Sequence, residues 1–363
     1  MTSGRAAMMM DYVPVALEVG LDPYHILADI GVSPSQLRNP EERLPRGAIA
    51  SILERSAMEA NCPHFAMLIA ERRDLSSLGP LSLVLQQQET LEDALRTLIR
   101  YQHLLSDLLT FNLEIEGDTA LVRTQIVSRI DFAPRQAHEA VGAMLSRVFI
   151  EIGGSAWKPE CLYFMHAAPP SLEVHHRVLG CPVHFGSGVN GVAYAREALH
   201  ARNPGYRSNL AAYANSYFEA QLPSAPLLTE ADRTRRALFI LLASGKASIE
   251  NVARHIGVSP RTLQRRLEAE GTGFSVVLNG VRRELVVRHL LNNVQTLAAI
   301  GEMLGYASPA AFTRWFTSEF GMSPSAWRRS ASDDPPLAPA PADDEDPALD
   351  PAAPQGIGMP TPL

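Results

Sequence analysis

Cysteine is scarce, basic charge is outweighed, and long apolar runs are missing. Only Cys62, Cys161 and Cys181 occur in 363 residues, odd in number and widely spaced. This pattern excludes a disulfide framework and points to a reducing cytoplasm. No stretch approaches the roughly 18 apolar residues that a membrane span needs. The apolar start, MTSGRAAMMMDYVPVALEVG, is broken by Asp11 and Glu18 and is followed by no small-residue cleavage site, so no secretory signal is expected. No Ser/His/Asp order, phosphate-binding glycine loop or spaced carboxylate pair stands out. The expectation is therefore no enzyme, no cofactor and no metal.

The net charge of −7 hides an uneven distribution. Residues 233–330 carry 14 Lys/Arg against six Asp/Glu, or +8, whereas residues 331–363 carry seven acids and no base, and residues 1–232 hold −8. A basic module between two acidic regions points to a polyanion partner for that module alone. The last 33 residues are rich in Pro, Ala and Asp with almost no bulky apolar side chains. They cannot bury enough surface to offset ordering entropy, and a disordered tail is expected over 331–363.

Upstream, helical and strand-like stretches alternate. Helical spacing covers 46–60 and 90–108, with Thr90 as N-cap and Glu92 and Asp93 in the favoured first turn. FNLEIEGDTALVRTQIV, 111–127, alternates around Gly117-Asp118 and reads as a hairpin. A long helix is expected at about 134–152, a strand at 160–165 and a short helix at 171–179. The prolines of QLPSAPLLTEAD, 221–232, break the pattern. The expected organisation is an α+β domain over 1–222, a linker at 223–232 and an all-α domain over 233–330.

The basic module contains a repeated unit. In SIENVARHIGVSPRTLQRRLEAEGTGF, 248–274, Ile249, Val252, Ala253 and Ile256 share one helical face. Gly257 supplies a left-handed helix end, and Ser259-Pro260 supplies an N-cap with proline at the first helical position. Leu263 and Leu267 then turn inward, leaving Arg261, Gln264, Arg265 and Glu268 on the solvent stripe. About 48 residues on, TLAAIGEMLGYASPAAFTRWFTSEFG repeats the pattern: Leu297, Ile300, Gly301 and Leu304, then Gly305, then Ser308-Pro309, with Phe312 and Phe316 inward. The long amphipathic stretch 274–293 joins the units. Each unit has the helix-turn-helix form, and arginine and glutamine can pair bidentately with guanine and adenine edges in a major groove.

With its closing GMSPSAWRR and the preceding LGYASPAAFTRWFTSEFG, the segment 233–330 resembles the DNA-binding domain of the AraC/XylS family of bacterial transcription regulators. The resemblance implies seven helices in two helix-turn-helix subdomains, reading successive major-groove segments of promoter DNA. By position it implies DNA contacts from Arg261, Thr262, Gln264 and Arg265 in the first recognition helix, about 259–270. In the second, about 308–320, it implies contacts from Pro309, Ala310, Thr313 and Arg314. Val287 and Gly301 stand where the family usually has alanine, and Gly301 costs up to about 1 kcal/mol of helix propensity.

GLDPYHILADIGVSPSQLRNPEERLP, SSLGPLSLVLQQQETLEDALRTLIRYQHLLSD and LGCPVHFGSGVNGVAYAREAL resemble the effector domain of the ornithine-utilisation-regulator-like branch, which lacks a cupin barrel. The resemblance implies a homodimeric activator that binds a small-molecule effector and touches RNA polymerase, without a membrane association. Candidate effector residues are Gln87, Tyr101, His103 and Arg123, with Gln86, Gln88 and His138 as further polar groups near element ends. Cys161, His166, His175, His176, Cys181 and His184 lie within 24 residues, but no second pair completes a zinc-finger pattern. The competing reading is a small-molecule or metal sensor whose basic helical domain serves protein contacts. Salt dependence separates the two, because DNA binding through several phosphates weakens steeply with salt.

Overall fold

The computed structural model describes residues 2–45, 47–106, 108–126, 134–221, 229–243, 247–292 and 295–333. The apolar side chains collect into two separate cores. One gathers residues from Ala6 to Phe218, and the other gathers residues from Ala237 to Trp327. Most of the expected linker and of the tail, 222–228 and 334–363, lies outside the described residues. The expected linker extended to 232, but Glu230 already opens a helix, Glu230–Ala243.

In the first region a small sheet pairs β1 (Thr2–Arg5) with β2 (Arg43–Pro45). The main sheet has five strands: β3 (Leu109–Glu116), β4 (Thr119–Ile126), β5 (Cys161–Tyr163), β6 (Val183–His184) and β7 (Gly191–Ala195). Their order is β3-β4-β7-β5-β6, all antiparallel except β5 with β6. The expected hairpin is present, with Leu109 opposite Ile126 and Glu116 opposite Thr119 around the Gly117-Asp118 turn. The helix Arg135–Gly153 lies against the sheet on one side and against the helices Ala48–Glu59 and Phe65–Arg72 on the other.

Helix ends follow local chemistry. Thr90 and Asp93 form a reciprocal capping box at the start of Leu91–Tyr101. That helix is shorter than the expected 90–108. After Tyr101 the chain tightens into a 3-10 turn, and the Gln102 side-chain oxygen accepts the N–H of Phe111, drawing the chain into β3.

The second region consists of seven helices among the described residues: Glu230–Ala243, Ile249–Ile256, Pro260–Ala269, Phe274–Asn292, Leu297–Met303, Pro309–Phe320 and Pro324–Asp333. Val252, Ala253, Leu263 and Leu267 of the first unit and Ile300, Leu304, Phe312 and Phe316 of the second are buried. They pack on Val281, Leu285 and Val286 of the connecting helix. Among the described residues no helix is long and apolar enough to cross a membrane.

Candidate nucleic-acid interface and effector cavities

Both recognition helices start by the same device. Ser259 accepts the N–H of Thr262 and Ser308 accepts the N–H of Ala311, each followed by proline at the first helical position. Gly257, at φ +82°, closes the preceding helix in the left-handed conformation that side-chain-bearing residues avoid. The turn is therefore set by residues whose backbone preferences demand it, and it fixes which face of the next helix meets solvent.

Arg261, Gln264 and Arg265 are exposed on Pro260–Ala269, and Pro309, Ala310, Thr313 and Arg314 are exposed on Pro309–Phe320. Thr262 is half-buried, and its hydroxyl lies 2.8 Å from that of Ser259, so it also serves the cap. No hydrogen bond or ion pair to a described residue engages the side chain of Arg261, Gln264, Arg265 or Arg314.

Other arginines of this region are engaged internally. Arg233 and Arg266 both meet Glu230, at 2.7 and 3.2 Å. Arg235 pairs with Glu284 and Arg283 with Glu319. Arg282 donates to the Leu304 carbonyl and covers the ring of Tyr306 at 4.5 Å, while Arg328 donates to the Gln295 carbonyl. Six arginines are thus engaged internally, while Arg261, Arg265 and Arg314 stand outward on these two helices, as Arg329 does on the last one.

The candidate effector residues do not converge on one pocket. Tyr101 and His103 are neighbours, and the buried Tyr101 ring meets Phe218 edge-on at 5.0 Å. Gln87 follows the helix Pro80–Leu85, with a buried side-chain oxygen that accepts no bond. Asn203 donates to the backbone carbonyls of Gln86 and Gln88. Arg123 is held by both oxygens of Glu114, at 3.0 and 2.8 Å.

Arg123 and His138 border a pocket of about 680 Å³, including its open mouth, between the two regions. Leu285, His289 and Met303 close it from the helical side. Beside it, the buried Glu139 carboxylate lies 3.3 Å from His166 Nε2 and 3.2 Å from His175 Nε2. Burial holds His166 below the ordinary histidine value despite the attraction of Glu139. Of the remaining cysteines and histidines singled out in the sequence, Cys161 and Cys181 are free thiols and His184 stacks on Tyr163. Among the described residues no group of three or more His, Cys, Asp or Glu side chains is arranged to hold a metal ion.

A second cavity, about 590 Å³ with its mouth, lies inside the first region and is lined by apolar side chains with Arg73 and Ser106. Neither residue stands out in the sequence. Arg72 and Arg73 form one of several charged pairs there, and only the fold sends Arg72 outward to Glu18 and Arg73 to the cavity wall.

The family model described as the arabinose-binding domain of AraC transcription regulator, N-terminal, matches residues 20–203. A helix-turn-helix domain model matches residues 252–330. The chain is 29% identical over 334 residues to the HTH-type transcriptional regulator VirS of Mycobacterium tuberculosis, covering 89% of this chain and 96% of the relative. It is 23% identical to the ornithine utilization regulator of Pseudomonas aeruginosa, covering 88% and 97%. The transcriptional activator NphR of a Rhodococcus species is 31% identical over 97 residues, which cover 27% of this chain and 29% of the relative. With a repeated helix-turn-helix unit behind an α/β region that matches over residues 20–203, the chain belongs to the AraC family of DNA-binding transcription regulators and carries an N-terminal effector-binding domain.

Proposed function

We propose that the protein is an effector-responsive transcription activator that acts in the cytoplasm as a homodimer. Its helices Pro260–Ala269 and Pro309–Phe320 enter successive major-groove segments of a promoter. Arg261, Gln264 and Arg265 read bases from the first helix, with Thr262 at its capped end. Pro309, Ala310, Thr313 and Arg314 face DNA from the second, and Arg314 provides a base or phosphate contact. The observation that carries this reading is the division of the arginines. Arg233, Arg235, Arg266, Arg282, Arg283 and Arg328 are matched to carboxylates and carbonyls, whereas Arg261, Arg265 and Arg314 point to solvent without a described partner. Arginine is the side chain best suited to bidentate pairing with guanine.

The name of NphR supports activation rather than repression, and an activator bound beside a promoter has RNA polymerase as its partner. The pocket between the two regions supports a route by which the first domain governs the second, since Arg123 and His138 face Leu285 and His289 across it.

The test is a genome-wide pull-down of DNA bound by the intact protein beside an Arg265→Ala, Arg314→Ala double variant. Sharp peaks lost in the variant are expected. Equal enrichment in both proteins would overturn the assignment of the reading residues.

A further inference from the structure

The inner cavity of the first domain has a composition that names its ligand class. Ile49, Ala50 and Leu53 come from one wall, and Ala137, Ala140 and Val141 from the facing helix. Against these apolar walls stand two polar side chains, Arg73 and Ser106.

Arg73 follows the last turn of the helix Phe65–Arg72 with an extended backbone, which turns it away from the course of its neighbour. Its Nε is buried with no hydrogen-bond partner, and no carboxylate among the described residues forms an ion pair with it. Burial draws its pKa down to about 10, and the attraction of Asp11 only partly opposes this. At that value the guanidinium remains cationic at neutral pH. Leaving the buried Nε–H of this half-buried cation beside apolar walls with no described counter-charge is unfavourable, and a bound anion removes that penalty.

Arg73 also borders a surface groove shared with Arg147, Glu151, Lys158 and Arg177. The excess of positive charge beside that groove favours the approach of an anion to Arg73. The hydroxyl oxygen of Ser106 accepts the N–H of Leu108 at 3.1 Å, and its proton meets no described acceptor. One fixed positive charge, one hydroxyl donor and apolar walls match a monoanion with an apolar body. A phosphate ester would bring a second charge for which the described lining has no partner.

We infer that this cavity is the effector site and that it takes a small apolar carboxylic acid, a fatty or aryl monocarboxylate. The carboxylate lies in the fork of the Arg73 guanidinium beside the Ser106 hydroxyl. Planar two-point contact of this kind is what a guanidinium offers a carboxylate and an ammonium does not. The inference rests on the effector-binding role of the first domain and is independent of which residues read DNA.

Calorimetric titration of the full chain with butyrate, octanoate, benzoate, octan-1-ol and octylamine at neutral pH tests it. At least one of the three acids should bind one to one. If octanoate is that acid, octan-1-ol should bind at least tenfold more weakly, and octylamine should not bind. Arg73→Met should erase the preference for acid over alcohol, and unliganded it should unfold at or above the wild-type temperature because an unpaired cation is gone. Arg73→Lys keeps the charge without the fork and should lose about tenfold in acid affinity, which covers the case of Arg73→Met failing to fold. Ala140→Phe, filling the cavity, should abolish binding of acid and alcohol alike. Failure of all three acids to bind, equal binding of octanoate and octan-1-ol, or an unchanged preference in a folded Arg73 variant overturns the inference. A gel-shift assay on promoter DNA with the same preparations separates the two readings. DNA binding without acid binding overturns only this inference, and acid binding without DNA binding overturns only the proposed reading of promoters.

Discussion

Gly301 and Phe312 touch so closely that a Cβ built on Gly301 would stand 3.0 Å from the Cβ of Phe312 and 3.1 Å from its ring. The glycine in the first helix of the second unit is thus a packing choice that lets the recognition helix approach. Alanine there would gain up to about 1 kcal/mol in helix propensity. Forcing a methyl into a packed core costs about 1–3 kcal/mol. Gly301→Ala should therefore lower stability by up to about 2 kcal/mol, read as a shift in denaturant midpoint at constant slope. An increase in midpoint would show that the Phe312 ring yields easily.

The pH dependence of the first domain should carry the signature of Glu54. Burial pushes its carboxyl up to about 7, against the N–H of Gln136 and the charge of Arg135, both of which favour ionisation. Between its ordinary value of 4.5 and about 7 the folded chain holds a proton that the unfolded chain has released. The stability this supplies is complete below pH 4.5 and is lost as pH rises through that window, at a limiting slope of about 1.4 kcal/mol per unit. Glu54→Gln keeps an oxygen for the Gln136 N–H and removes the titration. Its stability relative to wild type should rise steadily from pH 5 to pH 7.5 in matched denaturant titrations, and a pH-independent difference would contradict the assignment.

On the recognition face, Gln264→Ala or Arg265→Ala should weaken binding to the specific site by about 1–3 kcal/mol while leaving thermal unfolding nearly unchanged. The comparison with random DNA is decisive. Equal loss on both would place these side chains on phosphates rather than bases.

Removing a cap should act differently from removing a reader. Ser259→Ala deletes the acceptor for the Thr262 N–H and should cost about 1 kcal/mol of stability. Affinities for specific and random DNA should then fall together, because the helix is loosened rather than relettered. Selective loss on the specific site would mean that Ser259 itself reads DNA.

The helical region was legible because its information is local. Ser259-Pro260, Ser308-Pro309 and Gly257 each fix the conformation of their own residues, and the inward leucines and phenylalanines follow at helical spacing. The hairpin around Gly117-Asp118 was legible for the same reason. Strand β7, GVAYA, was not. It lies between β4 and β5 and is buried along nearly its whole length, so it lacks the alternation that marks a half-exposed strand. The end of the helix at Tyr101 depends on a bond from Phe111 to Gln102, nine residues apart, which no capping pattern announces. Arg73 was invisible on similar grounds. In the run Glu71-Arg72-Arg73-Asp74 both arginines resemble solvated charges, and their fates diverge only through Glu18 and the apolar wall.

The clamp on Glu230 has a mechanical consequence. Glu270, just past the first recognition helix, accepts the N–H groups of Glu230 and Ala231 at 2.7 and 2.9 Å, and Arg266 from within that helix grips the Glu230 carboxylate. The chain therefore enters the DNA-binding region already tethered to one of its two reading heads. A displacement of Glu230 therefore bears on the Pro260–Ala269 helix directly. The Pro309–Phe320 helix is joined to it by the 19-residue strut Phe274–Asn292. The two units share a design, yet this clamp on the entry helix belongs to the first.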